Sequence, residues 1–145
     1  MRELFCYHWE IFQKSIEWLK LSFDRCKDVD FSDLDEQRIE RLETFANRFS
    51  RSIDIFINKL LRSLDELEAE KNDRRLDSII RAEKRGFVED YEILLDLKNL
   101  RNELAHEYIE ELFLDKMYEV FEASEKLFMI EQKVKYYINR YGYCK

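Results

Sequence analysis

The sequence predicts an all-helical protein, and three observations favour this class. The 145 residues contain no proline and only two glycines, Gly86 and Gly142, too few for the many turns of a sheet protein. Hydrophobic residues make up 46% and charged residues 39% of the chain, which is typical of amphipathic elements around a core. Apolar residues also recur at helical spacing. We therefore expect a single domain over residues 1–145, with four long helices and a short one in an up-and-down bundle.

The apolar spacing outlines the first two helices. The first one carries apolar residues every three or four positions and is expected to fade near Asp28. Ser32 with Asp35 predicts a capping box that opens a second helix, and helical spacing then continues to about Ala69. At roughly 36 residues, or about 54 Å, this helix is longer than a small bundle core needs. We expect one end to project beyond the bundle or to contact another subunit.

Three further helices complete the predicted bundle. Asn72 or Asp73 can cap a short third helix, and Gly86 is well placed as the residue just after its C-cap. A fourth helix is expected from about Glu89. Asp115 can cap a fifth helix, which ends at the second glycine. The fourth helix is predicted to face the core through four apolar residues: Ile93, Leu97, Leu100 and Leu104.

Charge and cysteine content narrow the functional classes. The 25 basic and 32 acidic residues give a net charge of −7, which argues against a protein that coats nucleic acid nonspecifically. No apolar run approaches the ~18 residues of a membrane span, and the first residues do not form a signal peptide. The three cysteines, Cys6, Cys26 and Cys144, lack metal-ligand spacing, so we interpret them as free thiols. These observations predict a cytoplasmic protein without a membrane segment, a metal site or a cofactor.

One histidine has neighbours that suggest chemistry. His8 lies beside the apolar seam of the first helix, and we interpret it as an ordinary boundary residue. The other, His106, ends the run Arg101-Asn102-Glu103-Leu104-Ala105-His106. On a single helix, Arg101 and His106 point about 140° apart, so one helix does not bring them to one spot.

A second stripe on the same helix predicts self-association. Tyr91, Leu95, Asn102 and His106 lie within roughly 60° of one another, away from the expected core face. A helix with two such stripes has two contact surfaces. We therefore expect a twofold symmetric homodimer in which Arg101 and His106 of both chains meet in one cleft. Assembly above a dimer stays open.

The run from Arg101 to Tyr108 resembles the R-x4-H-x-Y signature of HEPN domains, specifically the HepT toxins of type VII HEPN/MNT toxin–antitoxin pairs. Every motif position is present, including Asn102 after the arginine. The all-helical plan is also similar over essentially the whole chain. The resemblance implies a dimeric, metal-independent endoribonuclease that cleaves RNA, with tRNA the first expectation and mRNA the second. It also implies an MNT-domain nucleotidyltransferase as the antitoxin partner.

The residue chemistry agrees with these implied roles. His106 can take the proton of a 2′-hydroxyl, because imidazole titrates near neutrality. Arg101 can stabilise the charge that develops on phosphate, and Asn102 can orient the imidazole or hold a phosphate oxygen. The resemblance further implies that the antitoxin silences the enzyme by transferring AMP from ATP to the hydroxyl of Tyr108.

Other interpretations remain open at this point. Arg101, Glu103, His106 and Glu110 could instead form a solvated ladder of ion pairs along one helix. The chain could be a noncatalytic HEPN partner of a nucleotidyltransferase, or a structural helical protein that forms oligomers.

Two basic clusters are candidates for holding RNA. Each could contact phosphates, but each could also be a solvated face whose charge is balanced by nearby carboxylates. The arginines predicted for this role are, on the second helix, Arg38, Arg41, Arg48 and Arg51, and, on or near the short helix, Arg74, Arg75, Arg81 and Arg85.

Overall fold

The computed structural model describes residues 1–106 and 110–145, and every regular element within these ranges is helical. The predicted all-α class is therefore confirmed. The second helix passes through a π-helical turn at Phe56–Leu60, so we number the segments on its two sides separately. The α-helices are α1 (Arg2–Cys26), α2 (Glu36–Ile55), α3 (Leu61–Leu67), α4 (Arg75–Lys84), α5 (Tyr91–His106) and α6 (Glu110–Tyr141).

The start of α2 differs from the predicted capping box. Asp35 is itself the N-cap, because its extended backbone lets the carboxylate accept the backbone N–H of Arg38 at 2.9 Å. Ser32 lies outside the helix and donates its hydroxyl to Asp30 at 2.6 Å. The expectation of a helix beginning here was right, but the roles assigned to Ser32 and Asp35 were wrong.

The end of α3 uses a left-handed residue that is not glycine. Ala69 has a φ of +57°, and its N–H donates to the carbonyl of Glu66 at 3.2 Å. The N–H of Glu70 donates to the carbonyl of Asp65 at 2.8 Å. These two bonds are those of a Schellman motif, which usually has glycine at the left-handed position. Helical structure thus runs from Glu36 to Leu67, close to the predicted length.

The short helix α4 ends as predicted but begins differently. Gly86 follows the C-cap with a φ of +85°, and the next residue, Phe87, is buried against the core. At the other end, Arg74 occupies the N-cap position in extended conformation, with no side-chain cap. The prediction that Asn72 or Asp73 caps this helix was therefore wrong, since both lie further from its first turn.

The boundaries of the last two helices agree with the prediction except at the start of α6. Asp90 precedes α5 and accepts the N–H of Glu92 at 2.9 Å. Helix α6 begins at Glu110, so Asp115 lies inside it and does not cap it, in contrast to the prediction. Gly142, with a φ of +65°, follows the end of α6 as expected.

One cluster of buried side chains joins the helices. Its largest fully buried members are phenylalanines on α1, α2, the π-helical turn and the segment after α4: Phe5, Phe12, Phe45, Phe49, Phe56 and Phe87. On α5, Leu94, Leu97 and Leu100 are buried, whereas Ile93 and Leu104 are only partly buried. Two of the four predicted core positions are thus buried, and Leu94 replaces Ile93 on the inner face. None of the described helices has the length and apolar character needed to cross a membrane.

A buried carboxylate ties α3 to α4. Asp65 is fully buried and accepts the hydroxyl of Ser78. Its two oxygens also pair with Arg81 Nη1 at 3.0 Å and with Arg85 Nη1 at 2.8 Å. Burial alone lowers the pKa of Arg85, but the charges of Asp65 and Glu68 raise it above its ordinary value.

Glu68 extends this network to the carboxyl-terminal segment. Its carboxylate pairs with Arg85 Nη2 at 2.9 Å and accepts the hydroxyls of Tyr137 at 2.6 Å and Tyr143 at 2.7 Å. Burial raises the pKa of Glu68, but these hydrogen bonds and the charge of Arg85 outweigh it and lower the pKa. Burial and the neighbouring Glu68 raise the pKa of Tyr143 to about 12.

The same end of the molecule carries a disulfide. Cys6 in the second turn of α1 is bonded to Cys144, whose Cα lies 5.7 Å away. The prediction of free thiols was therefore wrong for this pair, because residues 138 positions apart are brought together by the packing of α6 on α1. Cys26 is a free thiol and is buried.

Candidate functional site

Helix α5 directs Arg101 towards α2, where it meets Asp54. Arg101 Nε lies 2.9 Å from Asp54 Oδ1, and Nη2 lies 2.9 Å from Oδ2, which is a bidentate pair. Both side chains are about one-third exposed, at 32% and 37%. The hydrogen bonds that Arg101 donates to Asp54 raise the pKa of Arg101 further above its ordinary value. The arginine is therefore charged and held in one orientation.

Arg101 borders a cavity of about 190 Å³ between α2 and α5. Lys98 and Asn102 line it from α5, together with Arg75 from the first turn of α4 and Asp54 from α2. Three cations face one carboxylate, so the lining has a net positive charge. Arg101 Nη1 has no hydrogen-bond partner among the described residues. The cavity can thus accept a phosphate-sized anion beside the arginine.

His106 is the last residue of α5 and is exposed. It does not line the cavity beside Arg101, in agreement with the ~140° expected between positions five apart on one helix. Asn102, one turn earlier, does line it. Within one chain, the structure therefore brings Arg101 and Asn102 to one cavity, and His106 does not line it. Tyr108 lies outside the described residues.

The described residues do not form the ion-pair ladder that the sequence offered as an alternative for α5. Arg101 pairs with Asp54 on α2, and Glu103 pairs with Lys116 on α6. Both pairs connect neighbouring helices and fix α5 between them. The side chain of Glu110, the remaining acidic member of the proposed ladder, lies outside the described part.

The eight arginines predicted to hold RNA divide into two groups. Four have guanidinium groups paired with carboxylates of this chain: Arg38, Arg74, Arg81 and Arg85. Arg85 is moreover buried, with only 7% of its side chain exposed, and stabilises the contact between α3 and α4. In the described ranges, no carboxylate lies within 4.0 Å of the other four: Arg41, Arg48, Arg51 and Arg75. Only this second group can bind a phosphate without first losing a carboxylate partner.

Three residues of the site were not recognised as such from the sequence. Asp54, Asn58 and Lys98 line the cavity but belong to no motif in the sequence. Their apolar neighbours gave the helix register but not the angle between α2 and α5. No local signal in the sequence could therefore have paired Asp54 with Arg101.

Comparison of the chain with protein-family models, curated proteins and solved structures finds no match. Among the described residues, no three or more His, Cys, Asp and Glu side chains cluster as metal ligands.

Proposed function

We propose that the protein is a metal-independent endoribonuclease of the HEPN class, the toxin of a HEPN/MNT pair. The observation that carries this proposal is the oriented Arg101 beside a positively charged cavity, five residues before an exposed histidine. The R-x4-H-x-Y run from Arg101 to Tyr108 supplies the resemblance. RNA, with tRNA first, is the proposed substrate. The cytoplasm is the proposed location on the resemblance alone, because the Cys6–Cys144 disulfide removes the argument from free thiols.

The proposed reaction is attack by the 2′-oxygen of a ribose on the adjacent phosphorus. His106 takes the 2′-hydroxyl proton as the new P–O bond forms. Arg101, assisted by Lys98 and Arg75 in the same cavity, stabilises the charge that develops on the phosphate oxygens. The bond to the 5′-oxygen breaks, and this oxygen takes a proton from water. The products are a 2′,3′-cyclic phosphate and a 5′-hydroxyl end.

This mechanism needs two chains. Because Arg101 and His106 point to different sides of α5, one chain cannot place both on the same phosphate. Two up-and-down bundles that meet along the stripe of Tyr91, Leu95, Asn102 and His106 bring the groups together across a twofold axis. Leu95→Asp is expected to yield a monomer of unchanged helical content. An unchanged mass in solution would refute this dimer.

Asp54 is proposed as a positioning residue. Asp54→Asn keeps the size of the side chain but weakens the bidentate pair that orients Arg101. We expect kcat to fall by up to about 10²-fold through misplacement of the guanidinium. Stability should change by no more than about 1 kcal/mol, because the pair is partly exposed to solvent. An unchanged kcat would show that the orientation of Arg101 does not matter for cleavage.

Tyr108 is the proposed target of the antitoxin. Each AMP added to its hydroxyl brings one negative phosphodiester and a bulky nucleoside. These groups would compete with RNA for the cations around Arg101. Antitoxin should therefore fail to neutralise Tyr108→Phe, whereas full neutralisation of that variant would contradict this account.

The decisive experiment incubates antitoxin-free protein with end-labelled tRNA and mRNA in excess EDTA. We expect fragments with cyclic phosphate ends from the wild type and none from His106→Ala. His8→Gln is the matched control, because His8 is the other histidine and its ring bonds Ser63 on α3 at 2.9 Å, away from this site. Cleavage that disappears with chelator, or that survives in His106→Ala, would overturn the mechanism.

One observation favours a second function. Asp54 compensates the charge of Arg101 within the chain, as a structural ion pair does. A noncatalytic HEPN partner that binds a nucleotidyltransferase needs no arginine free to contact a phosphate. In that case, protein whose measured mass shows that Tyr108 is unmodified leaves RNA intact. Arg101→Ala then leaves binding of the nucleotidyltransferase unchanged. A purely structural helical oligomer would instead show neither cleavage nor binding of the nucleotidyltransferase.

A further inference from the structure

A groove between α1 and α2 has the chemistry of a ligand site and lies apart from Arg101. It contains a cavity of about 400 Å³, lined by Tyr7, Lys14 and Trp18 from α1 and by Arg48 and Arg51 from α2. A second cavity of about 360 Å³ continues along the same two helices, with Arg25 and Arg41 in its lining.

Cations outnumber carboxylates in the lining of this groove. In the described ranges, no carboxylate lies within 4.0 Å of the five basic side chains, which are Lys14, Arg25, Arg41, Arg48 and Arg51. The carboxylates in the two linings are Glu10 and Glu40. Burial lowers the pKa of Arg48, and the charges of Arg25 and Arg51 lower it further. A local excess of positive charge on a chain of net charge −7 is the footprint of an anionic ligand.

Two exposed aromatic rings lie on the same side of α1. Tyr7 is 59% and Trp18 51% exposed, and eleven residues correspond to about three helical turns. The guanidinium of Arg48 lies 5.0 Å from the centre of the Trp18 ring, and Nη1 donates to the Trp18 carbonyl and to the hydroxyl of Ser22. Ser22 lines the second cavity, so Arg48 connects the two cavities and holds the indole in place.

We propose that this groove binds a segment of single-stranded RNA. Unpaired bases stack on Trp18 and Tyr7, and the backbone phosphates contact the cations on both helices. Aromatic rings between unpaired cations are the combination that single-strand binding surfaces use. A purely apolar partner would leave the charges unmatched. The inference rests on the proposed function for the choice of RNA, but the groove contains neither Arg101 nor His106.

Binding is measured with His106→Ala protein, so that the strand stays intact. The probe is an unstructured RNA of about eight nucleotides, within the ~4–16 that single-strand folds cover. The signal is tryptophan fluorescence, because Trp18 is exposed and Trp9 is 7% exposed. We expect the fluorescence of Trp18 to be quenched when RNA binds. Trp18→Ala lacks this signal, so its affinity is measured by competition with the Trp18-containing protein for the same unlabelled RNA, and we expect it to be about tenfold weaker. The slope of log K against log salt should be about −0.7 for each phosphate contact.

Matched charge reversals distinguish the groove from general electrostatics. Arg51→Glu should weaken binding at least about tenfold and make the salt slope less steep by about 0.7 or more. Lys126→Glu makes the same charge change on α6, outside both cavities, and should leave the affinity within about twofold. Thermal melts establish that both variants are folded.

Equal losses for the two reversals, or no quenching of Trp18, would overturn the proposal. Binding of an acidic helical peptide in place of RNA would overturn it as well and identify a protein-docking groove. Cleavage is scored separately with wild-type protein. RNA that binds the groove but is not cut by the wild type supports this inference and contradicts the proposed ribonuclease. RNA that is cut equally well by Arg51→Glu supports the ribonuclease and contradicts the groove.

Discussion

Asp65→Ala tests how much of the fold depends on one buried carboxylate. Asp65 has no exposed surface and pairs with Arg81 at 3.0 Å and with Arg85 at 2.8 Å, while Ser78 donates its hydroxyl to the same group. The substitution leaves the charge of Arg85, whose side chain is only 7% exposed, with Glu68 as its remaining partner. We therefore expect the contact between α3 and α4 to weaken strongly.

The magnitude follows from the burial of the pair. Removing one member of a buried ion pair costs about 3–5 kcal/mol, because the other charge stays desolvated. In a chain near this size, each kcal/mol lowers the melting temperature by about 2–4 °C, so Asp65→Ala should melt roughly 6–20 °C lower. Urea unfolding should give a lower midpoint with an unchanged slope, since the buried surface is nearly the same.

Asp77→Ala is the matched control. It removes an aspartate that pairs with Arg74 at a similar distance, 3.1 Å, but Arg74 is 73% exposed. Such a surface pair contributes about 0.2–1 kcal/mol. A loss for Asp65→Ala as small as that of Asp77→Ala would refute the argument that burial decides the contribution of these pairs.

Four further predictions concern two left-handed turn residues, the disulfide and the Glu68 carboxylate. Ala69→Gly should raise stability by about 0.5–1 kcal/mol in urea unfolding, because glycine adopts a φ of +57° without the steric cost; Gly86→Ala, at a φ of +85° with open space around it, should lose about 1 kcal/mol. Reducing the Cys6–Cys144 disulfide should lower the melting temperature, because a cross-link between residues 138 positions apart stabilises the fold by about 5 kcal/mol in the chain-entropy model. A melting temperature that reductant does not change would contradict this. The pKa of Glu68 lies below its ordinary 4.5, so its contribution is present above pH 4.5 and is lost as the pH falls through the folded-state pKa; acid titration of Glu68→Gln should show a shallower loss of stability than the wild type.

Much of the secondary structure follows from local patterns. Gly86 and Gly142 were predicted to end helices, and each adopts a left-handed conformation just after the end of a helix. The start of α2 was predicted about three residues early, because Ser32 was assigned the capping role that Asp35 holds. The end of α3 was less visible, because the left-handed position there is an alanine, Ala69, and alanine gives no sequence signal for such a turn. The start of α6 was misplaced for a related reason, since Asp115 is a good cap residue that happens to lie inside a helix.

The candidate site was predictable only as a segment of one helix. The motif placed Arg101, Asn102 and His106 on α5, and helical geometry already separated Arg101 from His106. The partner of the arginine, Asp54, comes from a helix 47 residues earlier. Pairing between helices depends on their crossing angle and axial shift, and apolar periodicity encodes neither.

The sequence by itself determined an all-helical protein, because hydrophobic periodicity and the absence of proline are local properties of the chain. The tertiary structure decided which charges are free. It buried Arg85 against Asp65, paired Arg101 with Asp54, and joined the two ends of the chain through a disulfide. In the part of the chain that the structure describes, it left Arg48 beside Trp18 with no carboxylate within 4.0 Å. Coulombic and covalent partners are set by distance in space, and residues far apart in the chain become neighbours only when the helices pack.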